Sequence, residues 1–279
     1  MEFKLPKRIE NSNKSTYGRV VNIAGSDYMP GAAYLSSVSA LKVGCGYCFL
    51  CSTDRVIDAV AAKTSNVVFV PKSELPNILS GVDVVEIGCG LGTSQDSVKL
   101  FSKFLDNVDS SIPVVVDADG LNILADNNID LLYDFNNKKF SKLVFTPHPK
   151  EAARLLKCSL SDVLNNVQES AKKISKDFNC VTVLKTHNTY VCSPDGQEYT
   201  NKTGNSSMAK AGSGDVLTGI LSGLIAQGMD IYEASCLGVH LHGLSGDFAK
   251  EELTEYCVMA SDLVSYISNA VKFYLSKEV

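Results

Sequence analysis

The sequence lacks the features that would place it in a membrane or on a nucleic acid. It contains no run of about 18 apolar residues, the minimum that a helix needs to cross a bilayer. The net charge is −5 and no stripe rich in lysine or arginine appears, so the chain has no basic field to attract phosphate backbones. The polar start of the chain lacks the apolar core of a signal peptide. We therefore expect a cytoplasmic protein that binds neither membranes nor nucleic acid.

The nine cysteines lack the pattern of a disulfide framework, because their number is odd and no secretory signal is present. Cys45, Cys48 and Cys51 imitate part of an iron–sulfur ligand spacing. They lie in an apolar segment typical of a buried strand, in which a spacing of three would place Cys45 and Cys48 on opposite faces. We therefore interpret these thiols as buried small side chains, and we predict no metal site from them.

Repeats, linkers and low-complexity segments are also absent. Hydrophobic residues make up 45% of the chain and charged residues 20%, as in an ordinary globular protein. Apolar, β-branched segments alternate with helical segments, which predicts an α/β fold with a parallel sheet. We expect residues 1–17 to form a polar arm and residues 18–279 to form one domain. Most predicted strands end in glycine or polar residues, where ligands of such sheets bind.

The second half of the chain adds short strands and further helices. Ser159 and Asp162 have the spacing of a capping box, which predicts one helix over residues 159–178. Three short strands follow, and two helices with an apolar stripe end the chain. On the first of these helices His240 and His242 are two residues apart and point in different directions. We therefore expect structural roles for them rather than a shared metal site.

The most informative stretch is residues 201–221, NKTGNSSMAKAGSGDVLTGIL, where a glycine-rich loop leads into a segment of helical periodicity. The periodicity predicts a helix that begins between Gly212 and Asp215. Its first turn would present unpaired N–H groups and the positive end of the helix dipole to an anion. Asp215 would then accept a proton from an attacking hydroxyl, or it is an ordinary first-turn residue. The segment is not a P-loop, because Asp215 stands where the lysine would be.

Other polar side chains follow the predicted strands. Asp117 and Asp119 end one predicted strand, and the period of two places them on the same face. The pair would hold Mg²⁺ or ligand hydroxyls, or would cap the helix that follows. His148 lies between two prolines, which favours an exposed and positioned side chain. Lys185 ends another strand and would lie near phosphates or in solvent. The glycines of GCGLGTS indicate close backbone approach to a ligand, although Thr93 interrupts a dinucleotide-binding fingerprint.

Seven segments follow one another in a recognisable order: GRVVNIAGSDYMPGAA, EIGCGLGTS, VVVDADGLNIL, FTPHPKEAARLL, VLKTHNT, NKTGNSSMAKAGSGDVLTGILSGLIAQG and SCLGVHLHGLSGD. Together they closely resemble the ADP/ATP-dependent NAD(P)H-hydrate dehydratases. The resemblance implies a ribokinase-like, three-layer α/β/α fold with a central, mostly parallel sheet. It also implies a lyase that uses ADP or ATP, with Mg²⁺, to convert (S)-NADHX or (S)-NADPHX to NADH or NADPH. Since only a short arm precedes Gly18, we expect a free-standing dehydratase, a homotetramer, that works with a separate epimerase.

The resemblance also implies roles for individual residues. Asp215 would be the catalytic base. Contacts to the hydrate would come from Ala32, Gly90, Gly92, Asp119, Asn122, His148 and Asp215. Contacts to the nucleotide would come from Lys185, Thr186, His187, Asn188, Thr189, Asn205, Gly212, Ser213 and Gly214. No residue is assigned as a metal ligand.

Some positions depart from the family pattern. Cys89 stands where the family commonly has proline, Lys150 and Thr186 stand where it has glycine, and Ala211 replaces a glycine before the anion loop. The main alternative is a kinase of the same fold that phosphorylates a vitamin precursor or a sugar. A second alternative is a non-catalytic nucleotide-binding regulator, and the intact Asp215 argues against it.

Overall fold

The computed structural model describes residues 3–125 and 129–277. The apolar segments rich in β-branched residues form nine strands in these ranges. They are β1 (Arg19–Ile23), β2 (Tyr47–Ser52), β3 (Val68–Pro71), β4 (Val84–Ile87), β5 (Val114–Val116), β6 (Leu143–Phe145), β7 (Val181–Leu184), β8 (Tyr190–Cys192) and β9 (Glu198–Thr200). The α-helices are α1 (Pro30–Lys42), α2 (Asp54–Ala61), α3 (Leu75–Ile78), α4 (Gln95–Asn107), α5 (Asp119–Ala125), α6 (Ile129–Lys138), α7 (Pro149–Leu156), α8 (Leu160–Asn165), α9 (Val167–Phe178), α10 (Ser213–Ala226), α11 (Ile231–Cys257) and α12 (Ala260–Lys277).

The strands form one sheet in the order β3-β2-β1-β4-β5-β6-β7-β8-β9. Strands β1 to β7 pair in parallel, and β8 and β9 add an antiparallel hairpin at one edge. The mostly parallel sheet predicted from the alternation of strands and helices is therefore confirmed, as are the three short strands near residue 200.

Alternate residues of the parallel strands face two separate helix layers. Val20 and Val84 belong to a core shared with α1, α10, α11 and α12. Val21 and Val85 belong to a second core, shared with α4, α7 and α9. Because both faces of the strands are buried, these strands read as continuous apolar runs. The result is a three-layer α/β/α arrangement.

One predicted helix proves to be two. The capping box of Ser159 and Asp162 is confirmed, but the helix that it opens ends at Asn165. Asn166 has φ −137° and ψ 52°, outside the helical region, and α9 begins at the next residue. The prediction of one helix over residues 159–178 was wrong, because apolar periodicity continues across a break of a single residue.

The three cysteines near β2 are all buried, as predicted. Cys45 precedes the strand and faces the same core as Cys48. The expectation that these two lie on opposite faces was wrong, because strand alternation applies only from Tyr47 onward. Cys51 lies in the strand, three residues after Cys48, and faces the other core.

The strand order reverses its direction between β1 and β4, since β2 and β3 lie on one side of β1 and β4 to β7 on the other. The segments that follow β1 and β4 lead to α1 and α4 in opposite layers. Such a reversal opens a crevice at the carboxyl ends of the strands, where ligands of open α/β sheets bind.

The N-terminal segment packs on the rest of the chain through Phe3, which is buried, and Arg8, which donates to the Gly44 carbonyl. The boundary at residue 18 stays a prediction. Across the two described ranges, every helix is too short or too polar to cross a bilayer.

Candidate active site

The N-terminus of α10 lies at the carboxyl edge of the sheet. The helix begins at Ser213, which confirms the predicted start, and within the described ranges no side chain caps it. The first-turn N–H groups of Gly214 and Asp215 have no acceptor inside the helix, so they are available to an anion. Gly212 has φ +94°, and a Cβ there would lie 2.5 Å from Leu35 Cδ1. The methyl group of Leu35 could move aside, but the positive φ favours glycine at the start of this anion loop.

Asp215 lies in the first turn of α10, in a largely desolvated position. Burial and, to a lesser extent, the charge of Asp117 raise the pKa of its carboxyl group to about 6, against the opposing effects of Cys89 and Lys185. At neutral pH the group is mostly ionised, yet it is basic enough to take a proton from a hydroxyl group as that group reacts.

Asp117 follows β5 and is almost completely buried. Lys185 Nζ lies 2.6 Å from Asp117 Oδ1, and the Thr218 hydroxyl donates to Asp117 Oδ2 at 2.7 Å. Burial lowers the pKa of Lys185, but the charges of Asp117 and Glu151 outweigh it and hold the pKa above its usual range. A Cβ on Gly214 would lie 3.2 Å from Lys185 Nζ, so the lysine lies against the anion loop rather than in solvent.

Asp119 has different neighbours from Asp117. Its Oδ2 accepts from the Gly92 N–H at 2.7 Å, and its Oδ1 accepts from Asn122 Nδ2 at 3.2 Å. β5 ends at Val116 and Ala118 has φ +48°, so the two aspartates do not follow strand alternation. The description of them as a pair at a strand's end on one face was wrong for this reason. At the carboxyl edge of the sheet, Asp117 instead contacts Lys185 and Thr218, whereas Asp119 contacts Gly92 and Asn122.

His148 is the N-cap of α7. Its Nδ1 accepts from the N–H groups of Lys150 at 3.0 Å and Glu151 at 3.2 Å, so the proton lies on Nε2, 3.3 Å from Glu151 Oε1. Burial and the charge of Lys185 lower the pKa of His148, and burial raises that of Glu151 to about 7. Both shifts favour uncharged forms, so near neutral pH this contact is not a full ion pair. His148 is about half exposed, which confirms the predicted positioned side chain.

The crevice between β1 and β4 is lined by closely packed backbone. A Cβ on Gly90, which has φ +61°, would lie 2.6 Å from Ala32 Cβ. The Gly92 N–H donates a hydrogen bond to Asp119 Oδ2. Asn122 Oδ1 accepts a hydrogen bond from Arg154 Nη1 at 2.5 Å. The predicted hydrate-contacting residues thus occupy neighbouring loops at one edge.

Lys185 and His148 also line a cavity of about 590 Å³. Its lining includes Ser213 and Gly214 of the anion loop and the apolar side chains of Met208, Leu217 and Val239. The predicted nucleotide-contacting residues that line it are Lys185, Thr186, His187, Thr189, Asn205, Ser213 and Gly214. Asn188 supports the turn, because its carbonyl accepts from the Thr186 hydroxyl at 2.9 Å. Gly212 opens the anion loop as the N-cap of α10.

Several residues of the site were not predicted from the sequence. His242 lines the cavity, with Nε2 3.3 Å from the Ser213 hydroxyl, and burial lowers its pKa to about 4, so it is neutral. Asp247 accepts from Asn205 Nδ2 at 2.8 Å. Thr218 orients Asp117, and its position three residues after Asp215 on one helix face was the available signal.

The sequence profile of the family described as NAD(P)H-hydrate dehydratase matches residues 20–269. An ADP-dependent (S)-NAD(P)H-hydrate dehydratase of Neisseria meningitidis serogroup B is 37% identical over 250 residues, which cover 88% of this chain and 81% of that protein. A bifunctional NAD(P)H-hydrate repair enzyme, Nnr, of Moorella thermoacetica is 38% identical over 277 residues, 95% of this chain and 51% of that protein. The chain thus spans about half the length of this bifunctional relative.

The fold agrees with that of a solved structure. An ADP/ATP-dependent NAD(P)H-hydrate dehydratase from Bacillus subtilis, co-crystallized with ATP/Mg²⁺, has a TM-score of 0.84 and 28% identity, over 97% of this chain and 94% of that one. The predicted ribokinase-like, three-layer fold is therefore confirmed. Because the family profile covers most of its length, the chain belongs to the NAD(P)H-hydrate dehydratase family.

Proposed function

We propose that this chain catalyses the nucleotide-dependent dehydration of (S)-NADHX and (S)-NADPHX, which restores NADH and NADPH. One observation carries the proposal: the Asp215 carboxylate, with a pKa near 6, lies at the N-terminus of α10 beside both the crevice and the cavity. A base for a hydroxyl group and a site for a phosphate thus occupy the same turn. Membership of the dehydratase family supports the nature of the substrate.

The cavity suits a nucleotide co-substrate, ADP or ATP. Its volume of about 590 Å³ lies within the range of small-molecule sites, and its lining combines apolar side chains, which suit a base, with anion-loop residues and Lys185, which suit a phosphate chain. We assign the phosphates to the anion loop of Gly212, Ser213 and Gly214, with Lys185 as the neighbouring cation. The turn of residues 186–189 and Asn205 would contact the nucleoside. An ADP-dependent relative and one co-crystallized with ATP/Mg²⁺ support this assignment.

The crevice would receive the hydrated nicotinamide. Gly90 packs closely against Ala32, and Gly92 leaves its backbone without a side chain, so a flat ring could approach this loop. His148 Nε2–H is a donor that projects from a half-exposed side chain. Asp119 and Asn122 would orient polar groups of the hydrate at the opposite end.

In the proposed reaction Asp215 takes the proton of the ring hydroxyl group as its oxygen attacks the terminal phosphorus of the nucleotide. The bond between that phosphorus and the nucleotide's bridging oxygen breaks, and the shortened nucleotide leaves. The N–H groups of α10 and the ammonium group of Lys185 stabilise the charge on the transferring phosphoryl group. Phosphate then leaves with the electrons of the C–O bond, assisted by the ring nitrogen, and loss of a proton from the adjacent carbon restores the dihydronicotinamide.

The residues present fit a Mg²⁺ ion that is bound chiefly by the nucleotide. Magnesium is commonly held by one or two carboxylates together with phosphate oxygens and waters. Asp117 supplies such a carboxylate: its Oδ2 accepts from the Thr218 hydroxyl at 2.7 Å and, weakly, from the Cys89 thiol at 3.9 Å, and an ion could replace the thiol. When bound, the ion would neutralise phosphate charge. A cytoplasmic location, a homotetramer and a separate epimerase remain predictions.

The proposal is tested by incubating the protein with (S)-NADHX and either ADP or ATP. We expect the near-ultraviolet absorbance of the dihydronicotinamide to return, with release of one phosphate per turnover. Reactions without nucleotide serve as controls. If the absorbance does not return with either nucleotide while a vitamin precursor or sugar is phosphorylated, the chain is a kinase and the proposal is wrong.

A further inference from the structure

Three potential metal ligands from different elements converge beside the anion loop. Cys89 follows β4, Asp117 follows β5 and Asp215 opens α10, yet their sulfur and oxygen atoms lie within 4.8 Å of one another. Cys89 and Asp117 are almost completely buried. We propose that this corner binds a thiophilic divalent cation, such as Zn²⁺, through Cys89 Sγ and one oxygen each of Asp117 and Asp215.

The distances fit this metal after small side-chain movements. Zinc lies about 2.3 Å from a thiolate and about 2.0–2.2 Å from a carboxylate oxygen, so tetrahedral ligands of these two kinds lie about 3.5 Å apart. Cys89 Sγ and Asp117 Oδ2 are 3.9 Å apart. The remaining separations within the trio are at most 4.8 Å, so they need to shorten by about 1.3 Å at most, which side-chain rotation can supply. A water molecule would complete the tetrahedron from the open site.

The charges also balance. A Cys89 thiolate and two carboxylates carry three negative charges, and the Lys185 ammonium, 2.6 Å from Asp117 Oδ1, supplies one positive charge. A divalent cation neutralises the remainder. Lys185 and Thr218 would keep the Asp117 carboxylate oriented toward the metal, because hydrogen-bonded partners of metal ligands restrict their rotation.

The thiol distinguishes this site from one for magnesium. Thiolate ligands select zinc and other soft cations, whereas Mg²⁺ prefers oxygen ligands. On binding, the Cys89 S–H bond breaks, a sulfur–metal bond forms, and one proton leaves to solvent without any redox change. Binding would occupy the oxygen of Asp215 that accepts the proton in the proposed function, so the cation would inhibit that reaction. The inhibition rests on the proposed function, whereas the binding does not.

The test is a metal titration of the full chain without nucleotide or hydrate. Cys158 and Cys257 are exposed thiols that bind cations adventitiously, so the parent protein for all comparisons carries Cys158→Ala and Cys257→Ala. We measure the affinity for Zn²⁺ by competition with a chromophoric chelator. Cd²⁺ in place of Zn²⁺ reports sulfur coordination through the thiolate-to-metal charge-transfer band in the ultraviolet.

We expect the parent protein to bind one cation with a charge-transfer band, and Cys89→Ala to lose the band and at least about tenfold in affinity. Cys51→Ala, which removes a buried thiol that faces the other core, should retain both. Cys89→Ser repeats the comparison if the alanine variant folds poorly. Unchanged affinity and an unchanged band in the Cys89 variants would overturn the proposal. Dehydratase activity that is retained at saturating Zn²⁺ would refute the predicted inhibition and leave the binding site unaffected.

Discussion

Glu86 is a buried acidic residue whose ionisation would destabilise the folded protein at neutral pH. It lies in β4 with 1% of its surface exposed, and neither carboxyl oxygen has a hydrogen bond of good geometry within the described ranges. The neighbouring hydroxyls of Ser36 and Ser222 already donate to the carbonyls of Ala32 and Thr218. Burial, with a smaller contribution from the charges of Asp215 and Asp117, raises the pKa of Glu86 from 4.5 to about 8, against the lowering effect of the Ser222 and Ser36 hydroxyls. Glu86 is therefore a neutral acid in the folded protein at pH 7.

We expect the substitution Glu86→Gln to remove a pH-dependent loss of stability. Below pH 4.5 both folded and unfolded states bind the proton, so the carboxyl group has no differential effect. As the pH rises from 4.5 to 8, the unfolded state releases the proton and the folded state retains it, so stability falls. This difference in pKa between the unfolded and folded states lowers the free energy of unfolding by about 5 kcal/mol above pH 8. About 4 kcal/mol of this loss develops between pH 5 and pH 8.

The assay is urea unfolding followed by circular dichroism at pH 5 and pH 8. The difference in free energy of unfolding between the Glu86→Gln variant and the wild type should increase by about 4 kcal/mol in favour of the variant at the higher pH. Using this difference cancels titrations that both proteins share. Glu10→Gln, at an exposed position, is the matched control. A difference that is the same at both pH values would refute the account of Glu86 as a buried neutral acid.

Three further predictions concern the site. Because Asp215 has a pKa of about 6 and acts when ionised, kcat/KM should rise about tenfold per pH unit below pH 6 and level off above it. A flat pH–rate profile between pH 5 and pH 7 would contradict the role of Asp215 as the base. Lys185→Met leaves Asp117 buried without its cation, so urea unfolding should show a loss of about 3–5 kcal/mol, unlike Lys99→Met at an exposed pair. Gly212→Ala places a side chain at φ +94° and should lower the free energy of unfolding by at least about 1–2 kcal/mol. The variant should also bind the nucleotide more weakly in calorimetry, and wild-type affinity would show that the loop accommodates a Cβ.

Much of the fold was predictable because parallel strands that are buried on both faces read as apolar runs. The segments that became β1, β2 and β4 each carried this pattern, and the start of α10 followed from apolar periodicity after glycines. The break at Asn166 was not predictable, since one non-helical residue leaves the periodicity of both flanking helices intact. The turn at Ala118 was not predictable either, because a positive φ at a residue other than glycine has no strong sequence signal.

The individual site residues were assigned by resemblance, while their contacts needed three-dimensional information. Lys185 and Asp117 are 68 residues apart in sequence, and no periodicity links them. Glu86 did carry a signal, as a charged residue inside an apolar strand, but its neutral state depends on the surroundings of the folded protein. Likewise, Cys89 stood out as a departure from the family pattern, and only the fold shows that two carboxylates face it.

The most direct test of the central claim compares the wild type with Asp215→Asn in one assay. Asparagine preserves the shape of the side chain and removes its capacity to take a proton. With (S)-NADHX and a nucleotide, the wild type should restore the dihydronicotinamide absorbance, whereas Asp215→Asn should bind the nucleotide with similar affinity and show no turnover. An Asp215→Asn variant that retains most of the wild-type rate would contradict the account.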